Sequence, residues 1–299
     1  MSNRSQYSDV FLTDALPVLD ALIYEEYEKY PDAVPVIFNV KDSSTWGEQT
    51  TTMAGIKPAL TKNEGENVAF DDALQGFDKT YQHVTYAIAT SFSEELIEDD
   101  RLSMVEKTYR SLGMAVYQTR QVVALNIINN GFTDTGPDGA TLFSTSHTMI
   151  GGHTYANRPS TDISLSVGGM RSMEVQMMRQ VNHRNINIYL MPRVIWAPPE
   201  LSQTLMELLK SVDRPDTPNR ATNTFYMHNY DAMVSPYLTS VTAWGAFSDK
   251  SQHELRFYER KAPTTKSWVD DPSGDVNTRI RTRFSVGYSD FIGTWGTTG

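Results

Sequence analysis

The sequence predicts an α+β protein that folds as one interwoven unit, and three patterns carry this prediction. Residues 94–130 place apolar side chains at helical spacing with no interrupting proline. Residues 254–294 alternate between apolar and polar positions, as β-strands do. Between the N-terminal part and the long helix lies a polar segment, 41–82, with too few large apolar residues to build a core of its own.

Composition limits the classes of function. The chain has 299 residues, enough to bury a core, and no stretch approaches the roughly 18 apolar residues of a membrane span. The N-terminus lacks the apolar segment of a signal peptide, so we expect synthesis in a cytoplasm. Because cysteine is absent, disulfides, thiolate metal sites and cysteine nucleophiles are excluded. A net charge of −10 argues against a protein whose main task is to grip nucleic acid.

The chain begins with a predicted arm. Residues 9–30 carry apolar residues at roughly helical spacing, and Pro17 marks a helix start or a break. The next run, VPVIFNV (34–40), is rich in β-branched residues and predicts a short strand. The polar segment 41–82 predicts a projecting two-stranded loop with its tip near 55–65. Because an isolated two-stranded ribbon is marginally stable in water, this loop needs a partner surface.

A strand and the long helix follow. Residues 83–90 alternate as a strand, and Ser91 or Ser93 is the expected helix cap. Glu94 then lies in the first turn, where the helix dipole favours an acid. With no break before the Asn-Asn-Gly at 129–131, the helix is predicted to run for about 36 residues, or roughly 54 Å.

The rest of the chain mixes helices and strands. We expect helices over 168–182 and 200–211, a strand in NINIYLMPRVIWAPP (185–199) and mixed short strands in FYMHNYDAMVSPYLTS (225–240). Two longer strands around the turn DDPSGD (270–275) close the chain.

The final strand presents a row of guanidinium groups. Side chains alternate between the faces of a strand, so Arg279, Arg281 and Arg283 share one face, while apolar residues from Ile280 to Tyr288 share the other. The row could grip phosphate, or it could pair with acids on a neighbouring strand or chain. In a chain of charge −10 the pairing with acids is favoured.

Motifs for catalysis or metal binding are weak. The stretch DGATLFSTSHTMIGG (138–152) offers Ser146 and His147 for a serine hydrolase. It lacks the G-x-S-x-G turn, and adjacent residues of an extended segment point to opposite sides. Asp134 and Asp138 match a calcium-loop spacing only in part, because two ligand positions hold glycine and threonine. The six histidines form no zinc pattern and no phosphate-binding loop occurs, so we expect no catalytic residue, no metal and no cofactor.

The remaining sequence features concern assembly. A polar ribbon that needs a partner, an N-terminal arm, a long helix and an arginine-lined strand all describe surfaces that other copies would complete. The sequence therefore predicts obligate assembly, in which folding stability and association are coupled.

Three stretches occur in a recognisable order: DGATLFSTSH (138–147) after the long helix, MPRVIWAPPELSQTLMELLKS (191–211) in the middle and RTRFSVGYSDFIGTWGTTG (281–299) at the end. With them the chain resembles the major capsid proteins of tailed bacteriophages with the Hong Kong 97 capsid fold, especially the branch like the major head subunit of phage Mu. The resemblance covers nearly the whole chain.

The resemblance implies a division of the chain. It assigns an N-arm to 1–35, an extended E-loop to 36–90, the spine helix of the P-domain to 91–130, most of the A-domain to 131–254, and strands that return to the P-domain and A-domain to 255–299. On this division LFSTSH is an ordered structural segment near the junction of the domains.

The resemblance also implies a function. The chain would be a non-enzymatic head protein that self-assembles into pentamers and hexamers of an icosahedral virion shell around double-stranded DNA, and the shell would mature by subunit rotation. Assembly would occur in the bacterial host cytoplasm with a separate scaffold protein and a portal, with a decoration protein as a further possible partner. Contact with DNA would be weak and non-specific, and no membrane would be involved. The alternatives are a nanocompartment shell that encloses cargo enzymes and a monomeric Ser/His hydrolase.

The loop and the arginine row are the expected sites of subunit contact. These contacts are predicted at Trp46, Lys57, Lys62, Phe70 and Phe77, with ion pairs at Arg279, Arg281 and Arg283. Some members of the family join an E-loop lysine to an asparagine of a neighbour. Lys57 and Lys62 lie in the corresponding region, but the sequence identifies no partner asparagine.

Overall fold

The computed structural model describes residues 16–93, 95–96, 102–213, 222–270 and 272–299. Within them the helices are α1 (Leu16–Glu28), α2 (Val34–Ile37), α3 (Leu102–Asn129), α4 (Val167–Met178), α5 (Ser202–Lys210) and α6 (Thr224–His228). The strands are β1 (Asn39–Asp42), β2 (Gly47–Ala54), β3 (Leu74–Gln82), β4 (Val84–Phe92), β5 (His147–Thr148), β6 (Thr154–Tyr155), β7 (Val194–Ala197), β8 (Asp231–Val234), β9 (Trp244–Phe247), β10 (Leu255–Val269), β11 (Val276–Tyr288) and β12 (Thr294–Thr297).

The first sheet contains four strands in the order β1, β10, β11, β4. β1 is parallel to β10, and the other pairs are antiparallel. The long helix α3, called the spine helix from here on, covers one face of this sheet. Its Tyr109 and Val116 pack in one buried cluster with Ile280 of β11, and the Tyr109 hydroxyl lies 2.6 Å from Thr278 Oγ1. The seven-residue spacing of these helix positions keeps them on the face that meets the sheet.

Helix α1 lies on the spine helix. Leu19 and Ile23 are buried in the same cluster as Val105 and Tyr109. The two helices can approach closely because Gly113 has no Cβ, and a Cβ there would overlap the carbonyl oxygen of Ile23. The described part of the arm therefore packs against its own chain.

The second sheet has the order β12, β9, β7, β8. Every residue of β7, β9 and β12 is buried. Helices α4 and α5 contribute Met173 and Leu205 to the cluster that also contains Trp244 and Trp295 of this sheet. Short strands that are buried along their whole length are typical of a sheet covered on both faces.

A third buried cluster joins the two sheets. It contains Phe143, Trp196 of β7, and Phe257 and Phe284 of the first sheet. The rings of Phe143 and Trp196 lie 5.8 Å apart, and those of Phe257 and Phe284 lie 4.9 Å apart. Because aromatic side chains bury large areas, this shared core ties the two sheets into the single interwoven unit that the sequence predicts.

A two-stranded antiparallel ribbon, residues 47–82, stands beside the first sheet. It consists of β2 and β3, and residues 55–73 connect them without strand or helix. Thr52 of β2 donates a hydrogen bond to the Ser289 carbonyl at 3.1 Å, and at the base of the ribbon the Tyr81 hydroxyl lies 2.9 Å from Ser289 Oγ. The predicted two-stranded loop is confirmed, and its base is fixed to the end of β11.

The spine helix ends at Asn129, as the sequence predicts. Its described part has 28 residues and is about 42 Å long at about 1.5 Å per residue. Ser93 Oγ accepts the backbone N–H of Leu96 at 3.3 Å, which is the contact expected of a helix cap. Residues 97–101, where the first turns of the predicted helix fall, lie outside the described residues.

The strand predicted over VPVIFNV is wrong in its first half. Val34–Ile37 forms a helical turn, and the strand begins only at Asn39. Asp32 Oδ1 accepts the backbone N–H of Val34 at 2.8 Å, and Val34 and Ile37 both point into the core. A local side-chain hydrogen bond and core burial thus override the strand propensity of β-branched residues.

Two other predicted strands are shorter than expected. In residues 185–199 only Val194–Ala197 is a strand. Asn185 adopts a left-handed turn with φ of 59°, and Pro192 has no backbone N–H to donate to a neighbouring strand. In residues 225–240 the chain first forms α6, whose N-terminus is capped by the Asn223 side chain. The predicted helix over 168–182 ends earlier, at Met178.

None of the helices in the described residues combines the length and apolar character needed to cross a bilayer.

Candidate assembly surfaces

The ribbon exposes large apolar side chains that its own chain does not cover. Phe70 is 97% exposed, Leu60 78% and Trp46, just before β2, 69%. Met53, Ile56, Val68 and Leu74 are exposed as well. Many exposed apolar side chains on one projection indicate a surface that another molecule covers. The sequence prediction named Trp46 and Phe70, and the structure places both on this surface.

The base of the connecting segment 55–73 is anchored by one arginine. Arg184 Nε donates to the Gly55 carbonyl at 3.1 Å, and its guanidinium also bonds the Asp72 carbonyl and pairs with the Asp71 carboxylate. Lys57 lies within this arrangement, since its backbone N–H donates to Asp71 Oδ2 at 2.9 Å and its ammonium lies 4.0 Å from Oδ1. The Lys57 N–H bond, followed by smaller contributions from Arg184 and the Lys57 charge, lowers the pKa of the Asp71 carboxyl. These contacts fix the direction in which the ribbon tip leaves the body.

Lys62 and Phe77 differ in their surroundings. Lys62 lies exposed in the connecting segment. Phe77 is half-buried, with its ring 6.5 Å from the ring of His183 on the same chain. Part of the contact surface predicted for Phe77 is therefore used inside the subunit.

The predicted arginine row is present on β11. Arg279, Arg281 and Arg283 alternate with the buried Thr278, Ile280 and Thr282, and the row lies on the face of the first sheet that the spine helix does not cover. Directly opposite them on β4 are the small residues Ala89, Ala87 and Thr85.

On the other side of the row, the sheet register places cations against cations. Lys266 of β10 is opposite Arg279, and Lys261 is opposite Arg283. Like charges directly opposite one another destabilise an antiparallel pair. We call these five residues, Lys261, Lys266, Arg279, Arg281 and Arg283, the basic face.

A cleft of about 500 Å³ opens at one end of the basic face. Its lining residues are Thr85, Arg260, Lys261, Arg281, Thr282 and Arg283. Within the part of the chain that the structure describes, no carboxylate forms an ion pair with any of the four cations. Arg283 Nε is buried without a hydrogen-bond partner in the same set of residues. This basic cleft concentrates positive charge that the described subunit does not neutralise.

His83 connects the ribbon base to the basic cleft. Its ring nitrogens lie 2.9 Å from Ser43 Oγ and 3.0 Å from Ser285 Oγ. Burial, and next the neighbouring Arg283 guanidinium, lower the pKa of His83. The ring therefore adds a neutral hydrogen-bonding group beside the cleft at neutral pH.

Comparison with known proteins identifies the family. The sequence model of a family described as phage capsid protein matches residues 76–295, which is more than half of the chain. The chain belongs to the phage capsid protein family. No curated protein sequence matches it.

Solved structures share the fold of this capsid protein. The procapsid of bacteriophage JBD30 matches with a TM-score of 0.52 and 14% identity, over 96% of this chain and 75% of that chain. The capsid of Myoviridae phage XM1 gives 0.54 and 10%, over 88% and 89%. The virus-like particle from Pyrococcus furiosus gives 0.57 and 8%, over 95% and 100%. The predicted α+β fold of a phage capsid protein is confirmed.

The LFSTSH segment of the capsid protein is structural. Leu142, Phe143 and His147 are fully buried. His147 Nδ1 lies 2.6 Å from Asp138 Oδ2, and Nε2 lies 3.0 Å from Asn157 Oδ1. Its ring stacks on Phe291 with centroids 3.7 Å apart.

The hydrogen bonds of Asn157 fix the orientation of its amide. Its Nδ2 donates to the Leu142 carbonyl at 2.7 Å and to Thr294 Oγ1 at 2.9 Å, and its Oδ1 accepts the Ser144 N–H at 2.8 Å. His147 Nε2 therefore donates to Oδ1, and Nδ1 lies against the Asp138 carboxyl. Both ring nitrogens are engaged, so His147 has no free nitrogen to activate Ser146, which is exposed. A Ser/His hydrolase lacks the geometry that it requires here.

A calcium loop is equally unsupported, because Asp138 is engaged with His147 and with the backbone N–H of Ala140 at 3.2 Å. Among the residues that the structure describes, no group of three or more histidine or acidic side chains could hold a metal ion.

Sequence reasoning missed part of the basic surface. It named the three arginines of β11 but not Arg260, Lys261 and Lys266, which the HELRFYERKAP segment and its continuation carry on β10. Counting cations on both closing strands could have suggested a shared surface. Only the register, with its bulge between Lys261 and Thr264, decides which of them face the row.

Proposed function

We propose that this capsid protein is the major subunit of an icosahedral phage head, assembled as pentamers and hexamers around double-stranded DNA and matured by subunit rotation. The observation that carries the proposal is the ribbon with its uncovered apolar side chains, Phe70 above all. A folded chain that exposes such a projection gains stability when another subunit covers it. The match to the phage capsid protein family also supports this proposal.

The division of the chain into capsid regions is part of the proposal. We assign the arm to 1–35, the E-loop to 36–90 with the ribbon as its extended part, and the P-domain spine to 91–130. Most of the A-domain falls in 131–254, and 255–299 returns to both domains. In support, the second sheet with α4 and α5 has a buried cluster of its own, separate from the one between the spine helix and the first sheet.

Subunit contacts are proposed at the residues that the sequence named. Trp46, Lys62 and Phe70 are exposed on the ribbon or beside it, and the half-buried arginine row lies on the sheet face opposite the spine helix. Lys57 and Phe77 serve partly inside the subunit, so their contribution between subunits is smaller. Covalent joining through Lys57 or Lys62 has no identified partner asparagine.

Further partners follow from the capsid assignment. We propose a separate scaffold protein, a portal and, where shells are decorated, a decoration protein, with assembly in the bacterial host cytoplasm and the virion as the final location. The net charge of −10 supports weak, non-specific contact with the packaged DNA.

A second candidate function is a nanocompartment shell that encloses cargo enzymes. The similarity to the Pyrococcus furiosus virus-like particle, which covers the whole of that chain, favours this candidate over a monomeric hydrolase. The contents of purified particles separate the two shell functions, since a phage head would contain nuclease-protected DNA and a nanocompartment would contain a second protein.

Sedimentation and electron microscopy of the purified protein test the proposal. We expect capsomers or closed shells from the full chain, with or without a coexpressed scaffold protein. A stable monomer that remains dispersed at every concentration, both alone and with the scaffold, would overturn the capsid assignment.

A further inference from the structure

The basic cleft has the character of a binding site whose occupant carries negative charge. Four cations line it, and the pairing of β10 with β11 places Lys261 directly opposite Arg283. No carboxylate of the described residues forms an ion pair with these four cations. Arg283 Nε is buried and lacks a hydrogen-bond partner among those residues. A carboxylate placed here would relieve the like-charge contact and satisfy the guanidinium groups.

The ribbon tip offers the complementary charge. Glu64 and Glu66 flank Gly65, whose φ of 82° forms a tight turn that glycine adopts without strain. Both glutamates are exposed, and the only hydrogen bonds to the Glu66 carboxylate within the described residues are donated by Asn63, from its backbone N–H at 3.2 Å and its Nδ2 at 3.1 Å. The tip therefore presents two carboxylates that no cation of the described subunit neutralises.

In both sets the two charged residues are separated by one residue in the sequence. Arg281 and Arg283 are two residues apart on one strand face, so their Cα atoms lie roughly 7 Å apart. Glu64 and Glu66 are likewise two residues apart, on either side of one turn residue. Two neighbouring guanidinium groups can bind two neighbouring carboxylates in one contact, and the residue opposite Arg283 on β4 is the small Thr85.

The ribbon tip of the same chain does not fill the basic cleft. No residue of 55–73 lines the basic cleft of its own chain. Arg184 fixes the base of this segment through Gly55, Asp71 and Asp72.

We propose that the ribbon tip, Glu64 to Glu66, of one subunit binds in the basic cleft of a neighbouring subunit, with its carboxylates on Arg281 and Arg283. This inference rests on the proposed function, because it needs copies that assemble. Protein carboxylates are favoured over nucleic acid phosphate because the same chain supplies two of them on an exposed tip, while its net charge of −10 repels a polyanion at long range.

A zero-length cross-linking experiment tests the contact directly. A carbodiimide activates carboxylates. An activated Glu64 or Glu66 that touches Lys261 in the cleft forms an amide with its amine. Shells assembled from an equal mixture of ¹⁴N and ¹⁵N chains should give peptides that join residue 64 or 66 to 261, with mixed-isotope pairs showing that two copies are involved. Shells that form normally but give no such peptide overturn this inference and leave the proposed function intact. A wild-type chain that forms no shells defeats the proposed function and this inference with it.

Charge exchange provides a second readout. The tip variant E64K/E66K and the cleft variant R281E/R283E should each raise the concentration needed for assembly, by about tenfold or more if 1.4 kcal/mol or more is lost per contact. The combined variant should recover most of the loss, because the opposite charges again face each other. The matched control E106K/E200K makes the same charge change at two exposed sites that form no described ion pair. The proposal would be contradicted if the tip variant and the cleft variant each fold normally but the combined variant does not recover assembly. Photo-cross-linking of the cleft to packaged nucleic acid would also contradict it.

Discussion

At the scale of single residues, buried polar groups organise the junction between the segment that follows the spine helix and the chain end. The Asn157 side chain receives or donates four hydrogen bonds, with Ser144, His147, Leu142 and Thr294. Its side chain is buried, so each of these bonds would leave an unsatisfied group if it were lost. The sequence shows only an asparagine in a polar loop, and its role depends on partners up to 137 positions away.

Removal of the Asn157 side-chain amide should destabilise the subunit. We expect N157A to lower the free energy of unfolding by about 3 kcal/mol, since several buried donors and acceptors lose their partner. Denaturant unfolding of the unassembled subunit measures the loss. N130A, at an exposed asparagine just after the spine helix, is the control and should change stability far less. An N157A protein as stable as the wild type would contradict the assigned network.

A second residue-scale prediction concerns acid stability. His253 is buried, and its Nδ1 accepts the Leu255 N–H at 3.3 Å. Burial lowers the pKa of His253 from 6.5 to about 4. Because the folded-state pKa lies below the unfolded one, the unfolded chain binds the proton first. The stability from this group is complete above pH 6.5 and is lost as the pH falls towards about 4, by up to about 3 kcal/mol.

The variant H253N tests that pH dependence. Asparagine can accept the same backbone N–H through its Oδ1 but does not titrate. The variant should therefore lose less stability than the wild type between pH 7 and pH 4.5 in denaturant unfolding. The control H228N, at a histidine on the surface, should follow the wild-type profile. Parallel curves for H253N and the wild type would refute the assignment.

At the scale of elements, the close contact between α1 and the spine helix depends on one small residue. Glycine in the middle of a helix normally costs about 1 kcal/mol relative to alanine, so its presence at 113 requires a reason. The reason is the carbonyl oxygen of Ile23, which occupies the space of a side chain. Helix propensity and packing therefore predict opposite effects of an alanine at this position.

We expect packing to dominate. G113A should destabilise the subunit by about 1–3 kcal/mol despite the better helix propensity of alanine, because backbone atoms must move apart. The control S111A, on the exposed side of the same helix, should be neutral or slightly stabilising. Thermal unfolding followed by circular dichroism distinguishes them, and a stabilised G113A would show that α1 does not pack as described.

At the scale of the whole molecule, the subunit combines a well-buried body with an uncovered projection. The three buried clusters lie in the body, while the ribbon contributes exposed apolar side chains. Stability of the monomer and competence for assembly should therefore respond to different substitutions.

The variant F70S separates these two properties. Because Phe70 is almost fully exposed, its replacement should leave the unfolding temperature within about 1 °C of the wild type, as is usual for surface substitutions. Shell formation, measured by light scattering and electron microscopy, should decrease strongly. The matched control Y189S removes another exposed aromatic ring outside the ribbon and should affect assembly less. Normal shells from F70S would show that the ribbon surface is not a major contact.

The sequence by itself determined the end of the spine helix, the two strands of the ribbon and the face shared by Arg279, Arg281 and Arg283, because periodicity and turn residues act over short distances. The same local rules failed at Val34–Ile37, where the carboxylate of Asp32 and core burial decided the conformation. Only the tertiary structure set Lys261 and Lys266 against the arginine row and joined His147 to Asp138 and Asn157. Strand register and side-chain networks depend on contacts between distant parts of the chain, and a pattern of neighbouring residues does not encode them.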